Sequence, residues 1–315
     1  MRTGAAAGHR GFFHEAAFHH SDEEFLAVVV PFLTGALAAG EPAVAAFAPV
    51  KQGLLRDALG PRSGVLFIDG DAQYARPAVA IRQYRQLFAD LVMRGATQIR
   101  VSGDVPHPGV GVPWEWWARY EAAVNNAWDD FPVWGLCPYD TRITPAGVLE
   151  QVRRTHPFVA AGGGHHRNPA YQDPHGFLRG VEAWRDPLEH APPAVELCDP
   201  DPGAARDAVA ALRQAARIGE DDLQGLLLSV SEAVTNALMH GRAPVRLRAW
   251  TGPGRLVVTV TDTGAGPVDP MTGLVPAAGP GGMGMWLAHQ LCAYVSLQRA
   301  ADGFTIRLVA GRLGG

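Results

Sequence analysis

Lysine is almost absent from this chain. Lys51 is the only one, the other positive side chains being arginine. A P-loop needs Gly-Lys-Ser/Thr to reach the phosphates, and protein-kinase folds need a strand lysine for the same task. Lys51 precedes Gln52 and sits in no glycine loop, so both families are excluded. Cysteine is scarce too. Cys137, Cys198 and Cys292 are odd in number, far apart and in no C-x-x-C arrangement, which predicts reduced thiols of a cytoplasmic protein. Long apolar runs are missing: the N-terminus has no apolar core of a signal peptide, and Val28–Leu37 is too short to span a bilayer. A soluble, cytoplasmic protein with no membrane partner is expected. Nor is there an excess of one charge. The formal net charge is −4 with the arginines scattered, so no direct nucleic-acid partner is expected.

What is present is enough chain for two domains. The 315 residues are 47% hydrophobic and 18% charged, an ordinary globular balance. From residue 12 to about 158, helical and strand patterns alternate. Ser21 with Glu24 forms a candidate capping box, and apolar stretches at Ala43–Ala48, Val65–Ile68, Gln98–Ser102 and Val133–Cys137 are separated by helical ones. That alternation predicts an α/β domain, a mostly parallel sheet with helices on both faces. Residues 159–193, rich in Gly, Pro and Asp around Gly162–Gly164, read as a linker with a short helix near Phe177–Trp184. Residues 194–311 read as an α+β sandwich. Helices at about Ala204–Ile218, Asp221–His240 and Met285–Leu291 accompany strands that alternate apolar and polar residues.

Three short segments of this second region carry chemistry. In Ser229–His240 (S-V-S-E-A-V-T-N-A-L-M-H), Glu232, Asn236 and His240 stack at i, i+4 and i+8, with Val230, Val234, Ala237 and Leu238 left for a core stripe. A carboxylate can take a hydroxyl proton, and a carboxamide oxygen can ligate Mg2+ without adding negative charge. A solvent-facing polar stripe would look the same. Asp262-Thr263-Gly264-Ala265-Gly266 ends a strong strand, where Asp can accept from an exocyclic amine and glycine lets backbone approach a base; it also reads as an ordinary turn. Gly281-Gly282-Met283-Gly284 precedes a helix and can offer backbone N–H groups to phosphates, or be a plain loop.

Order and spacing together decide between these readings. E-x-x-x-N on a helix, D-x-G-x-G after a strand and G-x-G before a helix, from about Glu196 to Val309, resemble the N-box and two glycine boxes of the Bergerat (histidine-kinase-like) ATPases. The run S-E-A-V-T-N-A is similar to the serine kinases that act as anti-sigma factors. The resemblance implies a Bergerat-type sandwich that binds ATP and Mg2+. It implies Asn236 as the Mg2+ ligand, Glu232 as general base toward a protein serine, Asp262 reading adenine beside Gly264, Gly266 as lid hinge, and Gly282 with Gly284 around the phosphates. Arg206 and Arg213 could touch a partner or phosphate, or be solvated. The stretch from Gly266 to Gly281 is short for the lid of a two-component histidine kinase, and no helix presents a phosphoacceptor histidine.

The first region carries H-E-A-A-F-H-H-S-D-E-E-F-L at His14–Leu26, L-C-P-Y-D at Leu136–Asp140 and R-R-T-H-P at Arg153–Pro157. These resemble the MEDS sensory domain, which implies a RecA-like α/β fold over 12–158 and a small-molecule effector. His14, Cys137, Tyr139, Asp140 and His156 could line a ligand pocket or a redox or metal centre; structural hydrogen bonding and packing would account for them as well. Trp114, Trp116, Trp117, Trp128 and Trp134 are expected in the core and pocket wall.

The function these resemblances imply is an ATP-dependent anti-sigma factor and protein serine kinase. It phosphorylates a STAS-type anti-anti-sigma partner, sequesters a sigma factor, and answers to the N-terminal domain. Homodimerisation is expected by resemblance. The rivals are an ATP-binding module that sequesters a regulator without phosphotransfer and, behind it, a two-component histidine kinase.

Overall fold

The computed structural model describes residues 2–106, 114–275, 283–301 and 303–312. They form two compact units that divide between Gly180 and Val181. The first runs β1 (Phe13–His19), α1 (Asp22–Ala38), β2 (Ala43–Phe47), α2 (Pro49–Leu59), β3 (Leu66–Asp69), α3 (Gly70–Gln73), α4 (Pro77–Met93), β4 (Ile99–Gly103), α5 (Trp114–Ala127), β5 (Val133–Asp140), α6 (Ala146–Thr155), β6 (Phe158–Ala161), β7 (Gly164–Arg167) and α7 (Pro174–Arg179). Ser21 caps α1 by accepting from the Glu24 N–H, and the Glu24 carboxylate in turn accepts from the His20 N–H rather than from that of Ser21.

The seven strands lie in the order β3-β2-β4-β5-β1-β6-β7. Every neighbouring pair is parallel except the β6–β7 hairpin at the edge. The two-residue period of a strand sends alternate side chains to opposite faces. On one face Phe13, Trp134 and Leu136 pack with Phe25, Phe32 and Leu33 of α1. His14, Gly135 and Cys137 face the other way, toward Tyr84 of α4 and Tyr120 and Glu121 of α5. There Tyr84, Phe88, Trp117, Tyr120 and Trp128 meet edge-on or stacked, the preferred geometries of aromatic pairs.

The second unit contains β8 (Val195–Cys198), α8 (Pro202–Ala210), α9 (Arg213–Ala216), α10 (Glu220–His240), β9 (Arg246–Gly252), β10 (Arg255–Asp262), α11 (Met283–Leu291), β11 (Tyr294–Ala300) and β12 (Gly303–Gly311). Its sheet, β11-β12-β10-β9-β8, is antiparallel throughout. Val209 of α8, Leu226, Val230 and Val234 of α10 and Met285 of α11 bury one face against Leu247, Val258, Val260, Ile306 and Leu308. Leu238, expected in that stripe, instead stands 47% exposed, because the apolar face of α10 runs through Ala237.

Residues 159–193, read above as a linker, are built into the two units. Residues 158–167 form the β6–β7 hairpin, and α7 contacts α5 and α6. On the other side of the division, residues 184–191 cover the second face of the antiparallel sheet. The buried Arg307 guanidinium donates to both carboxylate oxygens of Glu189 and to Ser296 Oγ, and Trp250 Nε1 donates to the Ala191 carbonyl. A proline-rich stretch looks like a tether in sequence, yet its side chains supply the partners that a buried arginine needs. No helix among the described residues is long and apolar enough to cross a membrane.

Candidate functional site

Helix α10 is pre-biased by Glu220, Asp221 and Asp222 in its first turn, where carboxylates favour the positive end of the helix dipole, and it stops at Gly241. Its apolar residues fix the rotation, so that Asn236 and His240 line a cavity of about 330 Å3 together with Asp262, Gly266, Met285, Phe304 and Ile306. That size and lining, mostly apolar with a few converging polar groups, suit a small-molecule site. Asp262 is buried at the end of β10. Its Oδ1 accepts from the Arg242 and Gly264 N–H groups at 3.1 and 2.6 Å. One oxygen thus holds the loop, and the other is left without a hydrogen-bond partner among the described residues. Gly266 has φ +67°, and a Cβ there would collide with the Phe304 ring, so glycine is required on both counts.

Glu232 lies one helical turn before Asn236, half-buried. A Cβ on Gly284, in the first turn of α11, would strike the Glu232 carboxylate. Gly284 therefore sits directly against it, inside a helix rather than in a loop. Gly282 lies outside the described residues. Arg206 donates to Ser231 Oγ at 2.8 Å, and Arg213 pairs with Glu220.

In the first unit the structure brings His14, Cys137, Tyr139 and His156 together and adds Glu121, which sequence reading did not single out. His14 Nε2 lies 3.3 Å from Glu121 Oε2 and 3.5 Å from Cys137 Sγ; His156 Nε2 lies 3.5 Å from Glu121 Oε2. Tyr139 donates its hydroxyl to Glu121 Oε1 at 2.7 Å. Burial drives both histidines down to about 3, and it pushes the Glu121 carboxyl up. Asp140 does not join this cluster. It ends β5 with its carboxylate in a bidentate grip from the Arg142 guanidinium, which also bonds Asp22.

Two family models match the chain. Residues 13–157 match MEDS, the methanogen/methylotroph, DcmR sensory domain, and residues 200–310 match the histidine kinase-like ATPase domain. The chain joins a MEDS domain to a histidine kinase-like ATPase domain. No curated protein matches it. Among solved structures, the histidine kinase domain of the Erythrobacter litoralis EL346 blue-light activated histidine kinase shares 23% identity over 36% of this chain and 61% of its own, with a TM-score of 0.24. A longer structure of that kinase shares 22% over 36% and 42%, at 0.25. The histidine kinase domain of the E. coli osmosensor EnvZ shares 16% over 40% and 95%, at 0.24. The chain therefore spans less than two thirds of the first two.

Domains of the ATPase family bind ATP. The cavity at Asn236, Asp262 and Gly266 is the place in this ATPase domain where its segments converge. Sequence reading missed Phe304 and Ile306, because alternation on β12 marks them as core whether or not a cavity intervenes.

In the MEDS domain the Arg142 guanidinium holds the Asp140 carboxyl down at about 2. A depressed carboxylate contributes stability that is complete above its unfolded value near 4 and is lost as pH falls through the folded one. Asp140→Asn should thus lower stability at neutral pH by about 1 kcal/mol, since the half-exposed Arg142 is screened. The difference from wild type should vanish toward pH 2, which thermal melts across that range would measure.

Proposed function

We propose that the chain is an ATP-dependent protein serine kinase. In this reading it phosphorylates a STAS-type anti-anti-sigma protein and sequesters a sigma factor, and the MEDS domain biases that choice. The observation that carries the proposal is the position of Glu232, a half-buried carboxylate against the Gly284 backbone and one turn from the cavity wall at Asn236. A domain that only held nucleotide would need no carboxylate there. A carboxylate on that side of α10 is placed to accept a hydroxyl proton at the phosphate end of a nucleotide whose base lies toward Asp262.

Mg2+, when bound with ATP, would neutralise charge on the phosphoryl oxygens. The Asn236 carboxamide on the cavity wall would ligate it, a neutral oxygen ligand that adds no repulsion beside phosphates. Asp262 supplies the acceptor for an exocyclic amine, and Gly266 lets the backbone turn close to it. His156 and His289 stand 0% and 5% exposed, so neither of these two offers its ring to a phosphoryl donor.

The test is to incubate the full chain with γ-labelled ATP and a STAS-type protein. Acid-stable label on a serine of that protein is expected. Acid-labile label on the chain itself would overturn the reading, and nucleotide binding with no transfer to any candidate partner would favour the sequestering module.

A further inference from the structure

We propose that His14, Glu121, Cys137 and His156 form a binding site for one divalent transition-metal ion, zinc(II) fitting best, inside the MEDS domain. Four donor atoms of these residues lie within 4.8 Å of one another. They come from four elements or their ends: β1, α5, β5 and the residue after α6. No stretch of sequence brings them together; the sheet order does, by setting β1 beside β5 under α5.

The hydrogen bonds around the cluster show which way each ring presents itself. His156 Nδ1 lies 2.8 Å from the Val152 carbonyl, which can only accept, so that nitrogen carries the proton and Nε2 has a bare lone pair. The Asn125 amide group donates to the carbonyls of Glu121, Ala122 and Thr155, which turns its Oδ1 toward His14 Nδ1 at 3.1 Å. His14 is then protonated at Nδ1 and bare at Nε2 as well. Ring nitrogens fixed by an outer partner on one side and aimed inward on the other are the arrangement of metal-ligating histidines. Glu121 does the same with its two oxygens: Oε1 accepts from Tyr139, while Oε2 points inward.

The inward atoms are poorly satisfied without an ion. Among the described residues, Glu121 Oε2 and His156 Nε2 are buried and have no hydrogen-bond partner, a costly state for polar atoms. Three of the six donor separations agree with a tetrahedral ion, and the other three lie within 4.8 Å. Zinc bonds of about 2.0–2.3 Å imply donor separations of about 3.3 Å for N–O and about 3.6 Å for N–S pairs. The His14–Glu121 and His14–Cys137 separations are 3.3 and 3.5 Å, and His156–Glu121 is 3.5 Å. Charge agrees too. Two neutral imidazoles, a carboxylate and a thiolate sum to −2, which a divalent cation cancels, and this mixed N, O and S set suits zinc better than a hard cation. On binding, the Cys137 thiol proton leaves for solvent, as does any proton on Glu121, and the imidazoles lose none.

Cobalt(II) is the probe, because it takes zinc sites and reports its ligands by colour. The chelator-stripped, reduced full chain should take up one equivalent, with the visible absorption of tetrahedral cobalt and a near-ultraviolet thiolate-to-cobalt band, both removed by added zinc. Cys137→Ser should abolish the thiolate band, whereas Cys198→Ser, at an exposed thiol, should leave it. Asn125→Ala, which touches no ion, should weaken cobalt binding by about 10–100-fold. Where a variant fails to fold, X-ray absorption of the zinc-loaded wild type decides, with one sulfur and two imidazoles expected in the first shell. Absence of cobalt uptake by the wild type, a band that survives Cys137→Ser, or a zinc shell without sulfur would overturn the proposal in favour of a cluster satisfied by protons alone.

Discussion

Replacing Asp262 by asparagine should cut ATP affinity by about ten- to a hundredfold while leaving the ATPase domain folded. The two halves of that expectation rest on the two oxygens of one carboxylate. Oδ1 holds the Arg242 and Gly264 N–H groups, and an asparagine oxygen can take over both bonds, so the turn after β10 keeps its partners. The other oxygen becomes an NH2. A donor then faces the exocyclic amine of adenine, itself a donor, and a charge-assisted hydrogen bond worth ~1.5–3 kcal/mol is lost, the stated loss in affinity. Asp262→Ala is the less informative variant, because it also strands two backbone donors. A nucleotide with a carbonyl where adenine has its amine distinguishes base reading from general damage. Inosine triphosphate should bind the Asp262→Asn variant better than it binds the wild type. Calorimetry with both nucleotides checks this, and equal losses for the two would remove Asp262 from base recognition.

The ATPase domain was legible because its chemistry is local. E-x-x-x-N is set by the pitch of one helix and D-x-G-x-G by one turn, while it was the resemblance to the ATPases, and not chain order, that implied Asn236 and Asp262 meet, as they do at one cavity. The MEDS domain was legible as a layered α/β unit for the same reason, since alternation of periods is a local property. Its cluster was not. Glu121 and Asn125 lie in W-E-W-W-A-R-Y-E-A-A-V-N-N-A, where polar residues on a helix ordinarily mark the solvent side. Here the helix is covered nearly all round: Glu121 is 1% exposed and Trp117 0%, so polarity carried no direction. Only the adjacency of β1 and β5, which no strand pattern encodes, shows what Glu121 faces. Asp140 failed in the opposite way. It is three residues from Cys137 on the same strand, an odd spacing that sends it to the other face, where Arg142 two residues on captures its buried carboxylate. Residues 184–191 were hidden by composition, because Pro and Asp mark turns whether the turn hangs free or straps a sheet.

Glu232 of α10 and Asp262 of β10 should separate cleanly in their kinetic effects. Glu232→Gln keeps the length of the side chain, its packing on Gly284 and its distance from Asp262 on the cavity wall. Nucleotide affinity should therefore stay within a few fold. The amide cannot accept a hydroxyl proton as a carboxylate does, and phosphoryl transfer to a partner serine should fall by about 10²–10⁴-fold, the usual contribution of a positioned general base. Asn236→Ala differs: if its oxygen ligates the cation as proposed, Mg2+-dependent binding and transfer should fall together. A third substitution locates the effect in geometry. Gly284→Ala adds a methyl group where the Glu232 carboxylate now lies, and the backbone of α11 cannot yield as a side-chain tip can, so the carboxylate must swing away from its position. Its phenotype should follow Glu232→Gln in transfer. The measurement is a single-turnover transfer rate beside an ATP binding isotherm for each variant. Normal transfer by Glu232→Gln would show that the carboxylate orients structure and takes no proton, which would favour sequestration of a partner over phosphorylation as the work of this domain.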